Sequence, residues 1–511
     1  MYSKCFNYYY KVFICKKTPF NILSSYSKIN LIIYNLKLPF IVIIYNKKII
    51  PLPKGGAPMK ITLPPRVEFI INELEKEGYE AFAVGGCIRD SILEKKPNDW
   101  DITTNALPEA IIKTFKHTIP TGIKHGTITV MIDNLPFEVT TYRIDGEYTD
   151  NRHPDEVIFT SKLEEDLSRR DFTINAMAYN YSKGLVDPFN GLEDLREGII
   201  KTVGNAHDRF NEDALRMIRA IRFSCQLGFH IEDKTFEAIK LNCELIKNVS
   251  IERIREEFSK ILLSKEPSRG IENLRIGGLL QYFLPEVLTM FGFDQRNPHH
   301  DKDVYYHTLM VMDNTEPRLA LRLGALFHDI AKPVTFTLDE KGIGHFYGHE
   351  LKGKDMCEYI LKRLRYDNDT IKKVSNLVYD HMSRYSNLKS STIKKVITRV
   401  GKENLEDLFN LQEADIKASA PPFDFSGIHH LRKKSKEILE HKEPLTVKDL
   451  LLKGDDLIRL GLKPGKLIGE ILNHLMEKVL EDPKLNKKDQ LEEMALEYIE
   501  KSKEERGNEN E

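Results

Sequence analysis

Gly85-Gly86-Cys87-Ile88-Arg89-Asp90, followed a few residues later by Asn98-Asp99-Trp100-Asp101, decides how this chain is read. The apolar run Ala81 to Val84 ahead of it reads as a short strand, and the paired glycines mark its turn into a helix. Paired glycines there, Gly86 among them, let backbone approach a phosphate closely, and amides at a helix start favour anions. Arg89 can add a fork of donors to a triphosphate. Two aspartates one residue apart project from the same side of a strand, so Asp99 and Asp101 are expected to share one metal face. Oxygen ligands of this kind suit Mg²⁺, which bridges phosphates and neutralises charge developing in phosphoryl transfer. Taken singly, the motifs are equally an ordinary strand–helix turn and an exposed acidic turn. Their close succession points to a phosphate-and-metal site.

Around this segment, Pro65 to Glu77 carries apolar residues at helical spacing, while Thr127 to Met131 and Phe137 to Tyr142 read as strands. Glu138 on the last strand has three open readings: it completes the metal shell, takes the proton of an attacking 3′-hydroxyl, or simply faces solvent. After Val203 the strand signals nearly vanish. Long helical patterns follow, punctuated by Gly277-Gly278, Pro298, Pro317, Pro333, Pro421-Pro422 and Gly461. The expected class is therefore α+β: a small α/β head with a mixed sheet, followed by all-helical regions.

The chain's 511 residues allow several domains, and its 41% hydrophobic and 30% charged content reads as globular. Lys+Arg 76 against Asp+Glu 77 leaves almost no net charge, so any surface for nucleic acid must be local. The six cysteines, Cys5, Cys15, Cys87, Cys225, Cys243 and Cys357, form no CxxC pair. That suits a reducing cytoplasm and argues against a disulfide framework or a cysteine zinc site.

Residues 1–58 are different material: they contain no Asp, Glu or Arg. Transit peptides favour Arg, and Lys37 and Pro39 interrupt the best apolar run, so neither a targeting peptide nor a membrane helix is expected. Lys54-Gly55-Gly56-Ala57-Pro58-Met59 back-translates to a bacterial ribosome-binding site ahead of a start codon. The expectation is that Met59 is the true start and the preceding residues are translated leader, which N-terminal sequencing from the native host would decide.

With these pieces in view, the chain from about Met59 onward resembles the class II CCA-adding tRNA nucleotidyltransferases of the polymerase-beta-like superfamily, on several further motifs. Arg169-Arg170-Asp171-Phe172-Thr173-Ile174-Asn175-Ala176-Met177-Ala178 matches a family segment and implies that Arg170 contacts the incoming nucleotide. Asp145-Gly146-Glu147-Tyr148-Thr149-Asp150-Asn151-Arg152-His153-Pro154 resembles the flexible loop of complete CCA-adding enzymes, with His153 where the family usually has Arg. Glu212-Asp213-Ala214-Leu215-Arg216-Met217-Ile218-Arg219 resembles the nucleotide-selecting helix. Asp213 and Arg216, three apart, are expected on one helix face. A carboxylate accepts from the amino group of cytosine or adenine while a guanidinium donates to a ring nitrogen or carbonyl. Uracil and guanine would face Asp213 with another acceptor, a mismatch that costs about 1–3 kcal/mol. No nucleic-acid template is then needed. Arg219 and Arg222 bind phosphate or support Arg216. Ser250 is a plausible N-cap of a bracing helix carrying Arg253 and Glu257.

His307, His328-Asp329 and Asp415 follow the order of the HD metal-dependent phosphohydrolases, and His349 with His381 can extend the shell to a second metal. The resemblances divide the chain into a leader (1–58), nucleotidyltransferase head (59–181), helical neck and body (182–300), HD domain (301–425) and tail (426–511). In the tail, Lys463, Lys466 and, just inside it, Arg432, Lys433 and Lys434 are candidates for tRNA phosphates. The implied enzyme is cytoplasmic. It uses Mg²⁺, with a second divalent metal at the HD site, takes CTP, ATP and tRNA, and has no membrane partner. Its rivals are an A-adding enzyme, a poly(A) polymerase and, from another class, an HD phosphohydrolase; Thr121-Gly122-Ile123-Lys124-His125-Gly126-Thr127 looks like the CCA version of that stretch.

Overall fold

The computed structural model describes residues 13–16, 40–43, 60–146, 157–296, 302–384 and 388–508. Arg152 and His153, most of the flexible-loop motif and Met59 lie outside the described residues. The chain divides into two compact units. One holds residues 1–213 with 229–236, the other 214–228 with 237–511.

The first unit is built on a seven-stranded sheet. Its strands run in the spatial order Gly184–Val186, Ala178–Asn180, Ala81–Val84, Asp101–Thr104, Leu135–Thr141, Thr127–Ile132 and Thr118–Gly122. Every pairing is antiparallel except that of Asp101–Thr104 with Leu135–Thr141, so the sheet is mixed as expected. The parallel register sets Ile102 beside Val139 and Thr103 beside Thr140, which places Asp101 and Glu138 next in line at one end. Phe82, Val84, Tyr142, Leu163, Leu167, Ala176 and Ala178 pack one core of this unit. The helix read at Pro65 to Glu77 runs Pro65–Lys76 and buries Val67, Ile70, Ile71 and Leu74, the i, i+3, i+4, i+7 stripe.

The second unit is helical apart from a two-stranded hairpin, Thr337–Leu338 with Gly344–His345, among the described residues. Leu450, Leu452, Leu457, Ile471, Leu475, Val479, Leu491 and Ala495 form a separate core near its C-terminus. Buried Lys394 reaches that region with Nζ 3.0 Å from the Leu480 carbonyl oxygen and 2.8 Å from Glu443 Oε2.

Three local expectations are corrected. Asp101 begins a strand, but Asp99 lies in the loop before it, so the pair does not share a strand face. Asp213 and Arg216 do not share a helix either. Helix Ala206–Glu212 ends before Asp213, whose backbone is extended (φ −140°, ψ 102°), and the next helix begins at Leu215. Aspartate competes with the backbone for hydrogen bonds and favours helix ends over interiors. Ser250 does stand at the N-cap of helix Ile251–Leu262, but its hydroxyl makes no capping bond.

Candidate active site

Strand Ala81–Val84 delivers the chain into Gly85, which takes φ +82° and caps helix Gly86–Ile92. Only glycine suits this position on two counts. Its φ lies in the region side chains avoid, and an added Cβ would sit 2.8 Å from Arg170 Nη1. The Gly85 N–H donates to the Met177 carbonyl (3.0 Å), tying the glycine turn to the Arg169–Ala178 segment.

Arg89 is buried, and its guanidinium is already engaged: Nε donates to Asp90 Oδ1 (2.9 Å) and Nη1 to Asn175 Oδ1 (2.6 Å). Asn175 in turn donates to Asp171 Oδ1 (3.0 Å), which also caps the Phe172 N–H (2.8 Å). Arg89 therefore locks the glycine turn to the RRD segment. Arg170 is placed differently. It leans over Gly85, and its buried Nε has no hydrogen-bond partner in the protein. A buried donor without a partner is costly and suits an anion that arrives with substrate.

Asp99, Asp101 and Glu138 are all solvent-exposed. Protein packed around Asp101, together with the neighbouring Asp99 and Glu138 charges, pushes its carboxyl up to about 6, against the lowering pull of Arg170. Burial and the Asp101 charge push the Cys87 thiol beneath up to about 12. Carboxylates that repel one another in this way form a site a cation would relieve. Asp145 ends strand Arg143–Asp145, whose antiparallel partner is Val157–Phe159, and Gly146 follows it.

In the second unit, Arg216 is buried within helix Leu215–Leu227. Arg222 Nε lies 2.5 Å from Glu257 Oε2 and Arg219 Nη1 lies 3.9 Å from Glu257 Oε1. Glu257 is itself buried on Ile251–Leu262, so its ion pairs with both arginines tie that helix to Leu215–Leu227.

The same unit gathers all six HD candidates from separate helices. His307 comes from Val304–Asp313, and His328-Asp329 closes Leu319–Phe327. His349 opens His349–Arg363, His381 ends Asn368–Asp380, and Asp415 lies in Leu405–Ala418. All six are buried. His307 Nε2 stands 3.0 Å from Asp415 Oδ1 and 3.4 Å from His328 Nε2. His349 Nε2 stands 3.2 Å from His381 Nε2 and 3.6 Å from Asp329 Oδ1. Two triads able to hold an ion result, His307–His328–Asp329 and Asp329–His349–His381, with Asp329 common to both. His328, His349 and His381 each turn Nδ1 to a carbonyl three residues back, on Ala325, Phe346 and Val378 at 2.8, 2.8 and 2.6 Å. That bond fixes the tautomer and leaves Nε2 as the ligand atom. Burial acts to raise Asp329, but the charges of His328 and Lys332 overcome it and hold the carboxyl well below its usual range. Burial, with His328 and His349 nearby, drives His381 down to about 3.

Sequence reasoning missed Lys332 and Arg384 at this cluster. Lys332 Nζ lies 2.8 Å from Asp329 Oδ2 and 2.9 Å from Gln295 Oε1, and Arg384 pairs with Asp415. Their signals were their places three residues after Asp329 and three after His381. In the tail, Arg432 is paired to Glu413 (3.0 Å) and lies over Phe409, and Lys434 is paired to Glu437 (2.7 Å). Lys433, Lys463 and Lys466 are exposed.

A mixed sheet carrying a glycine turn, an arginine whose buried Nε has no hydrogen-bond partner and three clustered carboxylates defines a nucleotidyltransferase head. Comparison with known proteins agrees. The Poly A polymerase head domain family matches residues 81–201, an RNA- and SrmB-binding site of polymerase A matches 228–290, and the tRNA nucleotidyltransferase domain 2 family matches 349–495. The CCA-adding enzyme of Pediococcus pentosaceus is 35% identical over 418 residues, covering 81% of this chain and 92% of that protein. That of Leuconostoc mesenteroides is 34% identical over 457 residues, covering 86% and 99%. Among solved structures, the Bacillus stearothermophilus CCA-adding enzyme in complex with CTP superposes with TM-score 0.65 at 27% identity, covering 87% of this chain and 100% of that one. The Thermotoga maritima CCA-adding enzyme complexed with tRNA shares the fold at TM-score 0.51 and 20% identity, over 85% and 96%. The chain belongs to the CCA-adding enzyme family. Among the described residues no helix is long and apolar enough to cross a membrane.

Proposed function

We propose that this chain adds and repairs the 3′-terminal CCA of tRNA in the cytoplasm, taking CTP and ATP without a nucleic-acid template. The observation that carries this reading is the convergence of the Gly85 turn, Arg170 and the Asp101 carboxyl in one head whose nearest described chemistry is anion and cation binding. Asp99 and Asp101, with Glu138 beside them, are the residues that would hold Mg²⁺. Held there, Mg²⁺ would supply positive charge to offset the charge that develops on the departing pyrophosphate. Arg170 donates to the triphosphate above Gly85 and Gly86, and Arg89 keeps the glycine turn in shape. Glu138, beside Asp101 in the strand register, would accept the proton of the terminal ribose hydroxyl. Asp213 and Arg216 read the base edge, Asp213 from an extended link between helices and Arg216 from a helix braced by Glu257 through Arg219 and Arg222. The Asp145, Gly146 and Arg152 loop takes part in the final A addition. The exposed tail lysines meet tRNA phosphates.

Three RNAs separate the rivals: a tRNA lacking CCA, a tRNA ending in CC, and an unstructured RNA. The proposed enzyme completes the first two and leaves the third. Extension of only the CC-ending tRNA would make it an A-adding enzyme, and A-tailing of the unstructured RNA a poly(A) polymerase.

The buried cluster supports a second reading of the HD region, as a divalent metal centre for accessory phosphohydrolysis. The specific observation is the tautomer control at His328, His349 and His381 around a carboxylate common to two triads. The imidazoles suit a transition metal better than Mg²⁺ alone. Elemental analysis of chain purified without chelator tests it, and chain carrying no metal and taking up none on addition of Mn²⁺, Ni²⁺ or Zn²⁺ would defeat it.

A further inference from the structure

We infer that Asp166 is a positioning residue for nucleotide addition: its buried carboxylate, linked to Thr103 of the Asp101 strand, aims Arg170 across the Gly85 turn at the incoming triphosphate. The inference rests on the reading of Arg170 given above. Asp166 lies on helix Leu163–Ser168, with a side chain wholly removed from solvent. One oxygen, Oδ1, accepts from Arg169 Nε (3.0 Å) and Nη2 (2.8 Å). The other, Oδ2, accepts from Thr103 Oγ1 (3.1 Å) and lies 3.7 Å from Arg170 Nη2.

Thr103 is the third residue of the strand that Asp101 begins. Asp166 therefore accepts a hydrogen bond from the strand that Asp101 begins and forms ion pairs with both arginines of the RRD segment. A buried carboxylate needs such partners, because leaving it unpaired costs several kcal/mol. Arg170 is held at one end only. Its Nη2 faces Asp166, its Nη1 fills the space a Gly85 Cβ would take, and its buried Nε has no protein partner. Arg170 also lies close enough to Asp101 to lower that carboxyl's proton affinity. A guanidinium anchored at one nitrogen, with another donor left open beside clustered carboxylates, is preorganised for an anion that is itself bound near those carboxylates. Asp166 touches no reacting atom in this arrangement and acts through Arg170.

A purely structural ion pair would change stability alone, so the test reads kinetics in a double-mutant cycle. Single-nucleotide addition to tRNA lacking CCA is measured against CTP concentration for the full chain, Asp166→Asn, Arg170→Ala and the double variant. Asp166→Asn is expected to raise KM for CTP about tenfold, the loss of one charge-assisted contact. On the Arg170→Ala background the same change should add less than about twofold, because its target is already gone. Thr103→Val keeps the carboxylate and both arginines. It should shift KM in the same direction by a smaller factor, and it carries the test should Asp166→Asn not fold. Multiplying effects of Asp166→Asn and Arg170→Ala, or a lower melting temperature with unchanged KM, would overturn the inference. An unchanged KM in Arg170→Ala alone would instead remove the assignment of Arg170 to the triphosphate, and the positioning role with it.

Discussion

The head and the helical unit each gather a cluster of side chains of metal-ligating type, and they do so in opposite surroundings. In the head the candidate ligands are carboxylates only, all exposed, and the protein packed around Asp101, together with the Asp99 and Glu138 charges, raises its carboxyl to about 6. In the helical unit four imidazoles and two carboxylates are buried, with Lys332 and Arg384 against Asp329 and Asp415. Open oxygen ligands suit a hard ion that comes and goes with a nucleotide, because Mg²⁺ keeps several waters and binds through few protein groups. A closed nest with oriented histidines suits a resident ion. On the proposed reading one chain would carry an exchange site and a retention site, told apart by ligand type and burial.

The largest effect expected from breaking this contrast is at the head. Asp101→Ala should lower nucleotide addition by at least about a thousandfold, since the cation that offsets phosphate charge loses its central ligand. Metal retained by the helical unit, read by elemental analysis, should not change. Equal loss of both would contradict two independent centres. The reciprocal variant His328→Ala should strip the resident metal while leaving CCA addition within about twofold.

Gly85→Ala comes next, because the left-handed backbone and the 2.8 Å approach of Arg170 leave no room for a methyl. Its kcat/KM for CTP should fall about ten- to a hundredfold with little change in circular dichroism, the misplacement of a positioning group.

Acid stability sharpens the contrast further. Burial alone would raise the Asp166 carboxyl, but Arg169 and Arg170 reverse this and leave it below the ordinary carboxylate range. The folded head then binds a proton there less readily than the unfolded chain does. Its stabilisation is full above about pH 4, the unfolded value, and is lost as pH falls through that value towards the lower folded one. Asp166→Asn should flatten that acid limb in thermal melts as pH falls below about 4. An unchanged limb would mean the pair does not form.

The smallest effect is at helix starts. Asp303 accepts from the Tyr306 N–H (2.7 Å), whereas Ser250 makes no capping bond. Asp303→Ala should cost about 1 kcal/mol in denaturant unfolding, and Ser250→Ala less than about 0.5 kcal/mol.

The two clusters were also unequally legible in sequence. Ala81–Val84, the Gly85 turn and the helix after it were readable because glycines, an apolar run and a cap lie within a few residues of one another. The histidines and aspartates of the buried cluster were legible as a set, since a histidine-aspartate pair at the end of an apolar helix is a local pattern. What escaped was non-local or broke a period. Thr103 meets Asp166 across 63 residues, and Asn175 meets Arg89 across 86, links that no spacing rule contains. Asp213 was put on a helix because three-residue spacing fits one, but the backbone turns extended at that residue. The break changes how Asp213 is carried, from a helix face to a link between helices. Arg432 and Lys434 looked basic in sequence yet fold against Glu413 and Glu437, partners visible only in three dimensions or as a weak i, i+3 signal.

The most direct test of the account is nucleotide incorporation on a tRNA transcript that lacks CCA, first with CTP alone and then with CTP and ATP. The account predicts that CTP alone is incorporated and extension stops at CC, with a terminal A appearing only when ATP is added. Failure to incorporate C, or continued addition beyond the final A, would contradict it.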